Sequence, residues 1–131
     1  MDRATRRYVP AGGFALLLLV VSLAPAPETG GSMPQFFGIA LDKWVHVGSY
    51  GTLTALLAWG RNSRTVAAVA LVAALALGYS GGIELLQGLV PSRSPSVADM
   101  VANAVGVVGG GSVWLAARTA PQTSVWRRSE Q

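Results

Sequence analysis

Cysteine is absent from the 131 residues, which excludes a disulfide framework, a thiolate zinc site and a thiol nucleophile, and leaves the redox compartment unread. Charge is scarce as well: 12% of the residues are Asp, Glu, Lys or Arg, where ordinary soluble domains carry about 25%. Histidine and lysine are rarer still, with one His46 and one Lys43 set against arginine at every other basic position. Long stretches hold almost no charge: none between Arg7 and Glu28, and only Glu84 between Arg64 and Arg93. With 51% hydrophobic residues and a mean hydropathy of +0.45, this is the composition of a membrane protein. The net charge of +4 does not indicate nucleic acid, because the arginines sit at the edges of apolar runs rather than on a polar face with aromatics between them.

Four apolar segments are present, about 9–24, 43–60, 66–90 and 97–117. Each is near the roughly 20 residues that cross a bilayer core about 30 Å thick as a helix. The expected architecture is therefore an all-α membrane protein, a single domain over 1–131 with four transmembrane helices. For the first segment two readings are open. Arg3, Arg6 and Arg7, then "FALLLLVVSLA", then Ala24 and Ala26 also suit a cleaved signal peptide, although prolines crowd that site and the run extends back to Val9.

Lys and Arg accumulate on the cytoplasmic side of membrane proteins. The N-terminal arginines, Arg61 and Arg64, and Arg118, Arg127 and Arg128 alternate with loops that hold only Lys43 and Arg93. This predicts a multi-pass protein of the cell membrane with both termini and a 118–131 tail in the cytoplasm. Loops 25–42 and 91–96 then lie outside. Tyr8, Trp59 and Trp114 mark inner helix ends and Trp44 an outer one, as amphipathic rings favour the headgroup level. "MPQFFGIA" is too short to span and suits the interface, with Phe36 and Phe37 in lipid. Pro91 stops the third helix, and "SVAD" reads as a capping box in which Ser96 accepts from the backbone while Asp99 reaches back. The short "PSRSPS" loop makes the third and fourth helices antiparallel neighbours.

The ionisable residues gather at one end of this topology. Asp42, His46 and Tyr50 follow i, i+4, i+8 on one stripe; Glu84 and Gln87 share a face, as do Asp99 and Asn103. Lys43 and Arg93 stand at the rim. A charged side chain near a helix centre costs on the order of 3 kcal/mol on insertion scales, so such groups face the bundle interior and find partners. Glu84, the deepest carboxylate, is the strongest single signal. Gly78, Gly81 and Gly82 should admit a neighbouring backbone, and Gly106 and Gly110 should pack against the third helix. Structural readings stand beside the functional ones: His46 as a packing histidine bonded to Asp42 or a neighbouring helix, Glu84 in a salt bridge to Lys43 or Arg93, Ser96 and Asp99 as caps, Gln87 and Asn103 as interhelical glue. Glycines 109–111 lack a following Lys-Ser/Thr and make no phosphate loop.

Two blocks resemble a known family. "DKWVHVGSYGTL" is similar to a "DKxxHxxxY" stretch of VanZ-like membrane proteins. "GGIELLQGLVPSRSPSVADMVANAVGVVGG" is similar to the family's second signature: "E-x-x-Q", an Arg/Ser loop, then "D-x-x-x-N-x-x-G". The blocks cover 42–54 and 81–110 and are specific as an ordered pair. "HVGSYG" departs from the bulkier apolar residues usual there, which bears on how tightly the second helix packs. The resemblance implies a small four-helix membrane protein whose namesake is associated with low-level teicoplanin resistance. It also implies likeness to a wider group of four-helix domains proposed to act on lipid headgroups, phosphatidylserine synthases among them.

On this footing the expected partner is a membrane lipid or lipid-linked cell-wall precursor, and two functions are open. In an enzyme acting on a lipid-linked phosphoester, Lys43 and Arg93 neutralise phosphate. His46, oriented by Asp42 or Asp99, is then nucleophile or base with Glu84 as its counterpart, and Asp42, Tyr50, Gln87, Ser96 and Asn103 line the substrate. No cofactor is required; a divalent ion on Glu84, Asp99 and His46 is a lesser version of the same chemistry. The alternative is a non-enzymatic module that binds a lipophilic ligand or antibiotic and alters its access.

Overall fold

The computed structural model describes residues 2–25, 34–91 and 93–120. Ala26 of the cleavage pattern and the tail beyond residue 120 fall outside these. The protein is mostly helical: α1 (Arg3–Arg6), α2 (Val9–Leu23), a hairpin of β1 (Gln35–Phe36) and β2 (Ile39–Ala40), then α3 (Leu41–Arg61), α4 (Val66–Gln87) and α5 (Val97–Thr119). Among the described residues, α4 and α5 are long and apolar enough to cross a membrane, and α2 is a shorter apolar helix. Leu16, Leu17, Leu71, Leu75, Leu85, Val101, Val105, Val108 and Val113 all point outward. Contiguous apolar surface on this scale is what a lipid-facing exterior requires and a water-facing one avoids.

Local chemistry sets the helix ends. Asp2 caps α1, its Oδ1 accepting from Thr5 N–H at 2.7 Å, and that bond holds its carboxyl below the ordinary value. Pro10 stands in the first turn of α2, where its missing N–H costs nothing. α3 closes on Asn62 in the left-handed conformation (φ 54°), its N–H returned to Ala58 and Trp59 carbonyls, as a C-cap of this kind does. Thr65 Oγ1 caps α4 by accepting from Ala68 N–H at 3.2 Å. α4 ends at Gln87, earlier than the expected 90, because Gly88 opens a series of tight turns ahead of Pro91. The hairpin turns on Phe37 and Gly38, both with positive φ, the pattern of a two-residue type I′ turn. Trp44 Nε1 donates to Phe36 O at 3.1 Å and ties the hairpin to α3.

Cross-helix pairs define the packing directions. Lys43–Asp99, His46–Asn103, Gly51–Gly110 and Ser63–Trp114 advance together along α3 and α5, so these helices run parallel. Glu84–Ser96 and Ser80–Asn103 run in opposite senses, so α4 is antiparallel to α5. Tyr79–Ala15 and Gln87–Ser22 set α2 parallel to α4. Tyr50, Leu53, Ala76 and Val107 form the central apolar cluster, with Phe14, Ala15 and Leu18 of α2 against it.

The glycines correct the expectation in two respects. Gly106 and Gly110 pack against α3, not against the third apolar helix. A Cβ on Gly106 would stand 2.3 Å from Val47 O, and one on Gly110 2.3 Å from Gly51 O. The acceptor carbonyls are one turn apart on α3, as the glycines are on α5, so two bare turns lock into register. Gly51 of "HVGSYG" is thus one of the two points, with Val47, at which the α5 backbone closes on α3. Among the described residues no backbone closes on Gly78, Gly81 or Gly82: a Cβ there would meet nothing within 4 Å.

Candidate functional site

The α3–α5 contact brings the first turns of both helices side by side and builds one polar cluster. Lys43 Nζ donates to Asp42 Oδ2 at 2.6 Å and to Asp99 Oδ1, so the ammonium lies between two carboxylates. His46 Nδ1 is 2.9 Å from Asn103 Oδ1, and its Nε2 is 3.6 Å from Asp99 Oδ1. Asn103 Nδ2 donates to Ser80 Oγ at 2.7 Å, which points its carbonyl oxygen at the ring. With the amide so placed, the 2.9 Å contact is met by the tautomer that carries its proton on Nδ1, and Nε2 is the edge that faces Asp99. Asn103 is 1% exposed and Ser80 3%, so this orientation is held by packing as well as by hydrogen bonds.

Glu84, 4% exposed, accepts from Ser96 N–H at 3.0 Å through Oε2. Ser96 Oγ in turn accepts from Asp99 N–H at 3.2 Å. The capping box is therefore split between two helices. Ser96 supplies its half, but Asp99 turns to Lys43, and Glu84 of α4 takes the reciprocal position. An Asp at that place is one methylene shorter than the usual Glu, and Lys43 competes for it. Neither Lys43 nor Arg93 pairs with Glu84 among the described residues.

Gln87 and Arg93 serve α2. Gln87 Nε2 donates to Ser22 O at 2.9 Å and Arg93 Nε to Ala24 O at 3.0 Å, meeting two of the carbonyls that a helix C-terminus leaves without intrahelical partners. Tyr50, 3% exposed, belongs to the core cluster and lines the inner wall of a cleft between α2 and α3. Leu18, Val21, Ser22, Val45, His46, Ser49, Gln87 and Arg93 complete that cleft, a cavity of about 130 Å³. Of the residues singled out from sequence, Asp42, Lys43, His46, Asp99 and Asn103 converge directly. Glu84 and Ser96 adjoin them through the α5 cap, and Tyr50, Gln87 and Arg93 border the cleft.

Ser80 and Ser49 did not stand out in the sequence. Ser80 lies four residues before Glu84 and so shares its face, which was the available signal. For a divalent ion the donor set fits poorly. Among the described residues no three His, Asp or Glu side chains stand close enough to hold a metal. The Lys43 ammonium already takes the place between the two aspartates, and Glu84 is turned to a backbone amide.

What the cluster can do follows from these contacts. It can hold an imidazole between Asn103 and Asp99, with the ring at the border of a cleft. Arg93 adds a cation at the same cleft. Among known proteins, the sequence model described as VanZ/LLP1 matches residues 7–118. No curated protein and no solved structure matches the chain.

Proposed function

The chain belongs to the VanZ/LLP1 family, and from that premise we propose that it spans the membrane four times and acts on a lipid-linked phosphate headgroup at the outer leaflet. Both termini lie in the cytoplasm, as the arginine distribution favours. The observation that carries the chemical reading is the Asn103–His46–Asp99 line, whose imidazole borders the cleft. His46 Nε2 takes the proton of an attacking water or hydroxyl as its oxygen bonds to phosphorus. The ester P–O bond breaks, and the leaving oxygen takes that proton back from the imidazolium. Asn103 orients the ring, Asp99 stands beside its Nε2 edge, and Arg93 binds the phosphate oxygens. Lys43 holds Asp42 and Asp99 in place. Glu84, taken from sequence as the acid/base counterpart, acts instead through Ser96 by fixing the start of α5.

A second reading draws on one observation: Lys43 and Glu84 are both satisfied within the protein, so His46 has no separate acid partner. That favours a module that binds a headgroup, precursor or glycopeptide antibiotic without turning it over, and resistance to teicoplanin would then follow from altered access. One experiment separates the two. Lipid extracts are compared from membranes expressing wild type, His46→Ala and Arg93→Gln, with teicoplanin and vancomycin susceptibility measured alongside. Catalysis predicts a lipid species whose level changes with wild type and not with His46→Ala. Identical profiles with a resistance phenotype that depends on Arg93 alone would establish the binding module.

A further inference from the structure

We infer that the α2–α3 cleft is a lateral portal that admits the phosphate head of an anionic phospholipid while its hydrocarbon chain stays in the bilayer along α2. The inference rests on the headgroup reading above. The first support is shape. The cavity of about 130 Å³ suits a phosphate group and not a whole lipid. Its flanks, Val21 and Val45, are 58% and 60% exposed, so it opens sideways between two helices, with Leu17 and Val20 continuing the apolar surface of α2.

The second support is charge. No carboxylate lines this cleft, whereas His46 and Arg93 do. A second groove on the other side of α3, lined by Ile39, Trp44, Val47, Ala98, Val101 and Val105, holds Lys43, whose charge is met by Asp42 and Asp99. Of the two grooves flanking the site, only the α2–α3 cleft presents a cation without a carboxylate against it among the described residues. An anionic head is drawn there, and His46 meets it at the closed end.

The third support is the way α2 is held. It buries one residue, Ala11, and at this end Gln87 and Arg93 bind its last carbonyls. The guanidinium that recognises the phosphate thus also anchors the outer wall of the portal, so lipid entry and the seating of α2 are coupled through Arg93.

The test is photo-crosslinking in phosphatidylcholine nanodiscs. A phosphatidic acid carrying a diazirine in its acyl chain is compared with a phosphatidylcholine carrying the same group, and labelled residues are mapped by mass spectrometry. The expected result is several-fold more labelling of Val21 and Val45 by the phosphatidic acid. That preference should be lost in Arg93→Gln, and in Val45→Trp, which fills the cleft while leaving every polar side chain in place. Equal labelling by both lipids, or a preference confined to Val101 and Val105, would overturn the portal. A preference abolished by inorganic phosphate alone would also overturn it, in favour of a soluble anion. Portal and chemistry fail separately: a wild-type protein that labels at Val21 and Val45 with this preference but turns over no lipid upholds the portal and removes the catalytic role.

Discussion

The two ends of the helix bundle use their polar side chains differently. At the end holding the N-terminus of α2 and the C-termini of α3 and α5, each group finishes a local task. Trp114 Nε1 donates to Ser63 O at 2.8 Å, Arg118 lies 4.4 Å over the Trp114 ring, and Tyr8 closes on Gly60. At the opposite end the side chains meet one another, Lys43 with Asp42 and Asp99, and His46 with Asn103. Groups that each make one separate contact can be scattered, since no third group depends on where they stand. Groups that converge from three helices need those helices held in register, and convergence is therefore the better indicator of chemistry.

The register comes from the bare turns of α5, and removing them should have the largest effect. Gly106→Leu drives a side chain into the Val47 carbonyl and should cost about 3 kcal/mol or more. Both ends would be lost together, seen as aggregation on detergent extraction. Gly109→Leu, where a Cβ meets nothing within 4 Å, should extract as a monodisperse species; if it too aggregates, helix propensity and not the α3–α5 contact is at work.

Glu84 comes next. Glu84→Ala strips Ser96 N–H of its acceptor and should destabilise by about 1–3 kcal/mol in thermal unfolding, the cost of an unsatisfied buried donor. Glu84→Gln keeps an acceptor oxygen and should recover most of that stability along with function. A Glu84→Gln protein that is stable but inactive would return Glu84 to a chemical role.

The smallest effect sharpens the contrast between the ends. Trp114→Phe removes one hydrogen bond and weakens the contact with Arg118, about 1 kcal/mol in all. It should lower the unfolding midpoint without altering the lipid profile of expressing membranes. A change in that profile would mean that the two ends are coupled.

Much of this was readable from residue order, and what was not readable shares a cause. The apolar runs set the helices to within a few residues, since a long apolar helix has a length and composition that any window of sequence displays. The i, i+4 stripes of α3 and α5 located His46 and Asn103 on faces that could meet. Spacing along one helix carries no information about its partner, however. Gly106 and Gly110 were visible as a small-residue face but not as the face opposed to Val47 and Gly51. Lys43 beside Asp42 was visible, while the reach to Asp99 depends on the parallel setting of α3 and α5. Glu84 stood out for its depth, yet its bond to Ser96 N–H arises only once α4 and α5 are packed. The backbone carbonyls of Ser22 and Ala24, which occupy Gln87 and Arg93, bear no sequence signature at all.

The central claim is that Asn103 holds His46 with the proton on Nδ1 and Nε2 free to accept one. Because His46 is the only histidine in the chain, ¹⁵N-histidine labelling yields one imidazole to observe by NMR in nanodiscs. At a pH where the ring is neutral, the expected spectrum has the proton on Nδ1 and an unprotonated Nε2, and Asn103→Leu should shift the population toward the Nε2–H tautomer. A wild-type ring protonated on Nε2, unchanged by Asn103→Leu, would contradict the account.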